Sequence, residues 1–365
     1  MKKIKVAVVL GGRSVEHAVS CASGSAVIAA LDPDRFDVVP LGITDKGRWI
    51  AVDTDLARLG IEGGDALPQI AADGGAQVAL SADPTAARVS LVDAGTATSQ
   101  MIDVDVVFPV LHGTYGEDGT IQGLLEMADV PYVGSGVLAS AVCMDKEFTK
   151  RLLIASGLPV APYTIVRGQG DLSEADRDRL GLPVFVKPSR AGSSLGITKV
   201  TDWDQLPDAL ATARAVDPKV LVEAAVVGVR ELECGVLERE DGGAPDTTGV
   251  FEVLGSGAEG WFDFETKYLS SEEVYDFDPA LPGDVADRIR SMAAEVFTLL
   301  DCSDLARVDF FLTDDGEIFV NEINTMPGLT PKSGVPLAWA ESGIRYAELV
   351  ERLVRLALKR GTGLR

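Results

Sequence analysis

Positive charge is what this 365-residue sequence has least of: 33 lysines and arginines stand against 56 aspartates and glutamates, for a formal net charge of −23. Only 12 of those cations are lysines. So acidic a chain repels polyanions, so neither nucleic acid nor an anionic membrane surface is expected as a partner. Long apolar runs are also missing: no stretch approaches the roughly 18 residues that a membrane helix needs. The start, Met1-Lys2-Lys3-Ile4-Lys5, has the basic residues of a leader. Its apolar stretch ends at Gly11-Gly12-Arg13 with no small-residue cleavage pattern, and is read as a native first strand. The four cysteines, Cys21, Cys143, Cys234 and Cys302, are far apart in sequence and form no Cys-x-x-Cys pair. That spacing excludes a disulfide framework and fits idle thiols in a reducing cytoplasm. No Gly-x-x-x-x-Gly-Lys-Ser/Thr occurs, which excludes a P-loop.

What is present is the composition of a folded chain, 46% hydrophobic and 24% charged, with length for two or three domains. Ile4 to Leu10, a glycine turn, and a helical segment from about 15 to 31 open a parallel α/β unit. A second strand is expected at 36–43 and a buried one at 104–111. Between 44 and 100 the signal weakens to short alternating pieces, at 77–80 and 88–92, and reads as an insertion with hairpins. The expected division is 1–136, an N-terminal α/β domain; 137–226, a central domain; and 227–365, a C-terminal domain. A helix is expected over 138–156, and long ones over 284–300 and 346–359.

The most informative segment pairs Arg307-Val308-Asp309 with Asn321-Glu322-Ile323-Asn324 across a hairpin turn at Asp314-Asp315-Gly316. Strand residues alternate faces, so Arg307 and Asp309 share one face and Glu322 and Asn324 share one. Pairing Leu312 with Glu317 would set Arg307 opposite Glu322 and Asp309 opposite Val320, converging all four polar groups. Asp309, Glu322 and Asn324 are hard oxygen donors suited to Mg²⁺ or Mn²⁺ shared with phosphates. The competing reading is an Arg307–Glu322 salt bridge on a solvated face, disfavoured by the apolar neighbours Phe310, Phe311, Phe319 and Val320. Gly328 after Pro327 fits a type II turn that would expose a backbone amide beside this face. Lys187 precedes a Gly/Ser loop whose amides could approach a phosphate, and Lys146 and Lys267 are further scarce cations. Glu16 opens the first helix, as a dipole partner or as a hook for an ammonium group. Of the two histidines, His17 is read as a structural hydrogen-bonder, and His112 falls in a second edge loop.

Taken together these runs resemble the D-alanine–D-alanine ligase family. The markers, in order, are Ser14-Val15-Glu16-His17, His112-Gly113 with Gly116-Glu117-Asp118-Gly119, Met144-Asp145-Lys146, Lys187-Pro188-Ser189-Arg190, Lys267-Tyr268, Arg307-Val308-Asp309 and Asn321-Glu322-Ile323-Asn324. The resemblance implies an ATP-grasp fold with an N-terminal parallel α/β domain, three domains in all. It implies ATP as co-substrate, with Lys146, Lys187 and Lys267 as cations at the nucleotide, Glu223 at the adenine and Glu231 at the ribose. Two Mg²⁺ or Mn²⁺ ions would sit on Asp309, Glu322 and Asn324. Glu16 would hold the first D-alanine, linked to Ser193 and Tyr268. Arg307 and the Gly328 amide would face the oxyanion. His112, Lys267 and Ser333 would contact substrate. A cytoplasmic homodimer making cell-wall precursors is expected from the same resemblance. The alternatives are a depsipeptide ligase taking D-lactate, and a regulatory module on an inactive scaffold. The pair Lys267-Tyr268 favours the dipeptide enzyme over the lactate-using relatives, and the complete metal set and Arg307 argue against the inactive scaffold.

Overall fold

The computed structural model describes residues 2–52, 68–71, 76–81, 83–85, 89–93, 98–226, 228–254 and 275–363. Three sheets organise them. The first has the order β6-β5-β4-β3-β2-β1-β7 and is built from β1 (Ile4–Gly11), β2 (Phe36–Ile43), β3 (Trp49–Ala51), β4 (Gln77–Leu80), β5 (Val89–Asp93), β6 (Thr98–Ile102) and β7 (Val106–Pro109). The expected parallel unit is β2-β1-β7, crossed over by helix α1 (His17–Ala30). The pieces at 77–80 and 88–92 are β4 and β5, which extend this sheet as antiparallel hairpins with β3 and β6. The buried run at 104–111 becomes β7 and the loop behind it, leading to α2 (Thr120–Met127).

The expected helix over 138–156 is two helices, α3 (Val137–Met144) and α4 (Lys146–Ala155). The break is at Asp145, whose backbone is extended (φ −95°, ψ 98°) and whose side chain caps α4 by accepting from the Glu147 amide. An aspartate at a helix start satisfies an otherwise orphaned N–H, so helicity lost at one residue is recovered by the cap. The second sheet follows, in the order β10-β9-β11-β8, from β8 (Tyr163–Arg167), β9 (Val184–Pro188), β10 (Thr198–Val200) and β11 (Lys219–Ala224). Helices α5 (Glu174–Leu180) and α6 (Leu206–Arg214) belong to it, and its apolar cluster of Val184, Val186, Val220, Val222, Leu206 and Leu210 is its own.

The third sheet runs β15-β14-β12-β16-β17, with β13 (Asp246–Thr247) paired to β12. Its strands are β12 (Val229–Leu237), β14 (Phe251–Val253), β15 (Tyr275–Asp276), β16 (Leu305–Thr313) and β17 (Ile318–Asn324). The long helix α7 (Val285–Leu299) buries Ile289, Ala293 and Val296 against it. Helices α8 (Gly334–Glu341) and α9 (Tyr346–Arg360) return to the first sheet: Trp339, Leu349 and Leu353 join Val6, Val8 and Phe108 in one core. The first and third sheets are therefore bound through shared apolar burial, and the second stands on a separate core.

Candidate active site

The hairpin β16–β17 converges its polar residues, but not in the expected register. Thr313 donates to the Glu317 carbonyl (3.0 Å) and its own carbonyl accepts from Gly316, which takes a positive φ of 83°. Three residues therefore form the loop, and Leu312 pairs with Ile318, not with Glu317. A bulge next to Asp309 then inserts Asn321 as an unpaired residue. Its effect is chemical: Asp309 lies opposite Glu322 and Arg307 opposite Asn324, correcting the expected partners Val320 and Glu322. The Asn324 amide donates to Asp309 Oδ2 (3.1 Å). Arg307 grips Asp309 with two bonds of 2.7 Å and lies 3.2 Å from Glu233, which pairs with Asp309 from the other side on β12. Burial works against the Arg307 charge, yet Asp309 and Glu233 raise its pKa well above the ordinary value. Glu322 pairs with Lys146 (3.1 Å) rather than Arg307. Burial opposes its charge too, but Lys146 and Arg307 hold the carboxyl down at about 2.

A second group comes from loops at the carboxyl end of the first sheet, where α/β ligand sites form. Glu16 accepts from the Ser193 hydroxyl (2.5 Å), joining the first helix to the Gly/Ser loop of the second sheet. Ser193 and Ser194 both hold positive φ, 48° and 57°, the kind of strain that clusters at functional loops. Gly113 (φ 75°) lies against the Glu16 carboxylate, and a Cβ there would press into Oε2. His112 is buried, with Nδ1 2.9 Å from the Met326 carbonyl and Nε2 3.0 Å from Ser23 Oγ. Burial lowers its pKa, with Glu16 pulling the other way, so Nδ1–H is the donor of a neutral ring. Glu117 accepts from the amides of Gly113 (2.7 Å) and Met326 (3.0 Å), tying this loop to the one that carries Gly328. Burial, with Glu16 nearby, pushes the Glu117 carboxyl up to about 8. Gly328 itself is not among the positive-φ glycines, so the type II turn is not formed. Side-chain anchors shape the loop instead: Glu117 and His112 hold Met326, and Ser23 accepts from Leu329. His17 bonds the Gly12 carbonyl and the Ile70 amide, the structural role expected of it.

These groups meet in one cleft lined by Glu16, His112, Lys146, Ser193, Arg307, Glu322, Asn324 and Gly328, residues spread over more than three hundred positions of chain. Lys146 also donates to the Ala191 carbonyl (2.9 Å). On the second sheet, the buried carboxylate of Glu223 lies 2.5 Å from both Lys187 of β9 and Lys150 of helix α4. Burial opposes the charge of Glu223, but Lys150 and Lys187 hold its pKa down at about 2. The cleft thus has an anionic hook at Glu16, cations at Lys146 and Arg307, and a face of oxygen donors.

The sequence profile for the "D-ala D-ala ligase N-terminus" matches residues 5–135, and that for the "D-ala D-ala ligase C-terminus" matches residues 152–355. The chain belongs to the D-alanine–D-alanine ligase family. Family relatives agree over the full length: the D-alanine–D-alanine ligase of Mycolicibacterium gilvum is 54% identical, covering 100% of this chain and 99% of that one. The solved ligase of Coxiella burnetii superposes with a TM-score of 0.83 at 30% identity, over 99% of this chain and 95% of that one. The Bacillus anthracis ligase, solved as a complex with ATP, gives 0.71 at 27% identity over 98% of each chain. The fold is accordingly the ATP-grasp fold with an N-terminal domain, as the resemblance implied.

Not every residue singled out from the sequence lies in the cleft. Ser333 begins α8 and bonds Thr330, through the hydroxyl at 2.8 Å, outside the cleft lining. Glu231 lies on β12 opposite Phe311, also outside it, as do Asp309, behind Arg307, and the Lys187–Glu223 pair of the second sheet. Lys267 and Tyr268 lie outside the described residues. Sequence reasoning gave no role to Glu117, which lines the cleft, and did not single out Glu233 and Lys150, the partners of Arg307 and Glu223. Glu233 could have been found only with the β12–β16 register in hand, which sets it opposite Asp309. Cys143 and Cys302, distant in sequence, bring their sulfurs to 3.7 Å as free thiols.

Proposed function

We propose that this chain joins two D-alanines at the expense of ATP, through a D-alanyl phosphate, to supply peptidoglycan precursors in the cytoplasm. The observation that carries the reading is the single cleft in which Glu16, Lys146, Ser193, Arg307, Glu322 and Asn324 meet. Lys146 and Lys187 take the phosphates, with Lys267 beside them, while Glu223 faces the adenine and Glu231 the ribose. Glu16 binds the ammonium of the first D-alanine, its orientation fixed by Ser193 and, in the family pattern, Tyr268. The carboxylate oxygen of that D-alanine attacks the γ-phosphorus as the bond to the ADP oxygen breaks. The amine of the second D-alanine, having lost a proton, attacks the acyl carbon, and inorganic phosphate leaves. Arg307 and the Gly328 amide hold the oxyanion of that step, each donor worth about 3 kcal/mol. His112 supports this by holding Met326, two residues before Gly328. Ser333 contacts the second carboxylate. Water must be kept out, because an acyl phosphate hydrolyses readily.

Asp309, Glu322 and Asn324 fit a Mg²⁺ or Mn²⁺ pair: they are hard oxygen-bearing groups, with Asp309 directly opposite Glu322 and Asn324 one bond away. When bound, such ions would offset phosphate charge during transfer. The division into domains 1–136, 137–226 and 227–365 and a homodimeric assembly complete the reading. Phosphate release measured with D-alanine alone, and with D-alanine plus D-lactate, tests it. Dipeptide is expected as the main product of both mixtures at neutral pH. Predominant ester would overturn the choice of second substrate, and ATP turnover indifferent to D-alanine would overturn the reaction.

A further inference from the structure

Lys150 has no part in the reaction outlined above, yet it is one of the most buried side chains in the protein, with 2% exposure. Its position follows from two periodicities. In β11, Val220 and Val222 enter the apolar cluster of the second sheet, so Lys219, Leu221 and Glu223 face the other way. Lys187 pairs in register with Leu221 and therefore lies diagonal to Glu223 on that same face. Helix α4 lies across this face, and Lys146 and Lys150, four residues apart, are neighbours on one side of it. The N-terminal half of α4 is matched to the strand: Asp145 and Glu147 pair with Lys219, and Lys150 with Glu223.

Glu223 is thus a buried carboxylate with one lysine on each oxygen, Lys150 on Oε1 and Lys187 on Oε2, both at 2.5 Å. The two lysines differ in what else they can do. Lys187 precedes the Ser189–Gly196 loop and retains 10% side-chain exposure, whereas Lys150 retains 2% and its Nζ meets no other acceptor among the described residues. We propose that Lys150 is a positioning residue, the fixed counter-ion of Glu223 that allows Lys187 to leave this carboxylate for a nucleotide phosphate. The inference rests on the ATP reading given above and deepens it. A buried carboxylate stripped of its only cation is strongly disfavoured, so with a single lysine the ion pair and the phosphate would compete for Lys187. With two lysines, the departure of Lys187 leaves Glu223 paired.

The test measures binding of a non-hydrolysable ATP analogue by calorimetry, alongside KM for ATP and for D-alanine. Lys150→Met should weaken analogue binding and raise KM for ATP by at least about tenfold, with KM for D-alanine within about twofold of wild type. Lys150→Arg, which keeps the charge, should restore most of the affinity. The same Lys150→Met change made in a Glu223→Gln background should have little effect, because no buried carboxylate then retains Lys187. A residue that merely pins α4 would lower affinity in both backgrounds, and that result overturns the proposal. So does wild-type affinity in Lys150→Met. If Lys150→Met alone does not fold, the comparison of Glu223→Gln with the double variant still decides, since equal affinities support the proposal and a further loss refutes it. Wild-type protein that fails to bind the analogue would instead overturn the ATP reading itself.

Discussion

Gly113→Ala isolates the link between backbone geometry and the amino-acid site. Gly113 has a φ of 75°, and a Cβ built there presses into Glu16 Oε2, with Ser14 Cβ at 3.2 Å on its other side. An alanine forced into the left-handed region costs about 1–2 kcal/mol. The clash itself is relieved cheaply, because the obstructing atom is the end of a mobile side chain, but relief means moving the carboxylate. Glu16 would then lose its 2.5 Å bond from Ser193, a charge-assisted bond worth about 1.5–3 kcal/mol. The stability change alone should lower the melting temperature by only a few degrees. The displaced carboxylate should lower kcat/KM for D-alanine by about 10- to 150-fold, at 1.36 kcal/mol per factor of ten. KM for ATP should stay near wild type. The assay is phosphate release at varied D-alanine with ATP saturating, then the reverse. Unchanged use of D-alanine by a folded variant would refute the placement of Glu16 as the ammonium hook. An equal loss toward both substrates would show general disorder of the cleft instead.

Glu117 gives a pH prediction. Its folded pKa of about 8 lies above the ordinary 4.5, so the folded chain gains from its proton below 4.5 and loses that gain as pH rises through 8. Denaturant unfolding of wild type should show this decline, while Glu117→Gln, which mimics the protonated form, should flatten it; identical slopes would refute the assignment. Arg307→Lys cannot keep two bonds to Asp309 and the approach to Glu233, so kcat should fall about a hundredfold with KM for ATP little changed. Wild-type kcat in that variant would remove Arg307 from the oxyanion role. Chelation should abolish turnover and Mg²⁺ or Mn²⁺ restore it, and Asp309→Asn should raise the metal concentration required, which metal-titrated kinetics would read directly.

Face assignment was legible in the sequence because alternation along a strand is local: Arg307, Asp309, Glu322 and Asn324 converge as their spacing required. Pairing was not, because it depends on where the turn closes and on one inserted residue. Gly316 at positive φ fixes a three-residue loop, and Asn321 then shifts the ladder by a further position. Without that bulge Asp309 would face Asn321 and the second carboxylate would sit one step away. The break at Asp145 was hidden for a similar reason, since Met144, Lys146 and Glu147 around it are good helix formers and only the cap distinguishes it. Glu233 and Lys150 escaped notice, and Glu117 stood only as a family marker with no role, because each is defined by a partner on a distant segment, Arg307, Glu223 and Met326 respectively.

The scarcity of lysine has a consequence for how ligands enter. In the structure the proposed ligand-binding cations Lys146, Lys187 and Arg307 already hold carboxylates, Glu322, Glu223 and Asp309. A cleft in so acidic a chain cannot keep exposed cations waiting, because nearby carboxylates will pair with them. Binding of a polyanion is then an exchange of partners rather than the filling of a vacant positive site. Exchange is cheap only where the carboxylate left behind has another partner in reach. Glu223 has Lys150, and Glu322 and Asp309 have the proposed metal ions. Nucleotide without metal should therefore bind weakly even though every lysine is present, because Lys146 would have to abandon the half-buried carboxylate of Glu322 with no cation to replace it. Calorimetry of the ATP analogue with and without Mg²⁺ reads this directly, and equal affinity in the two titrations would refute the exchange.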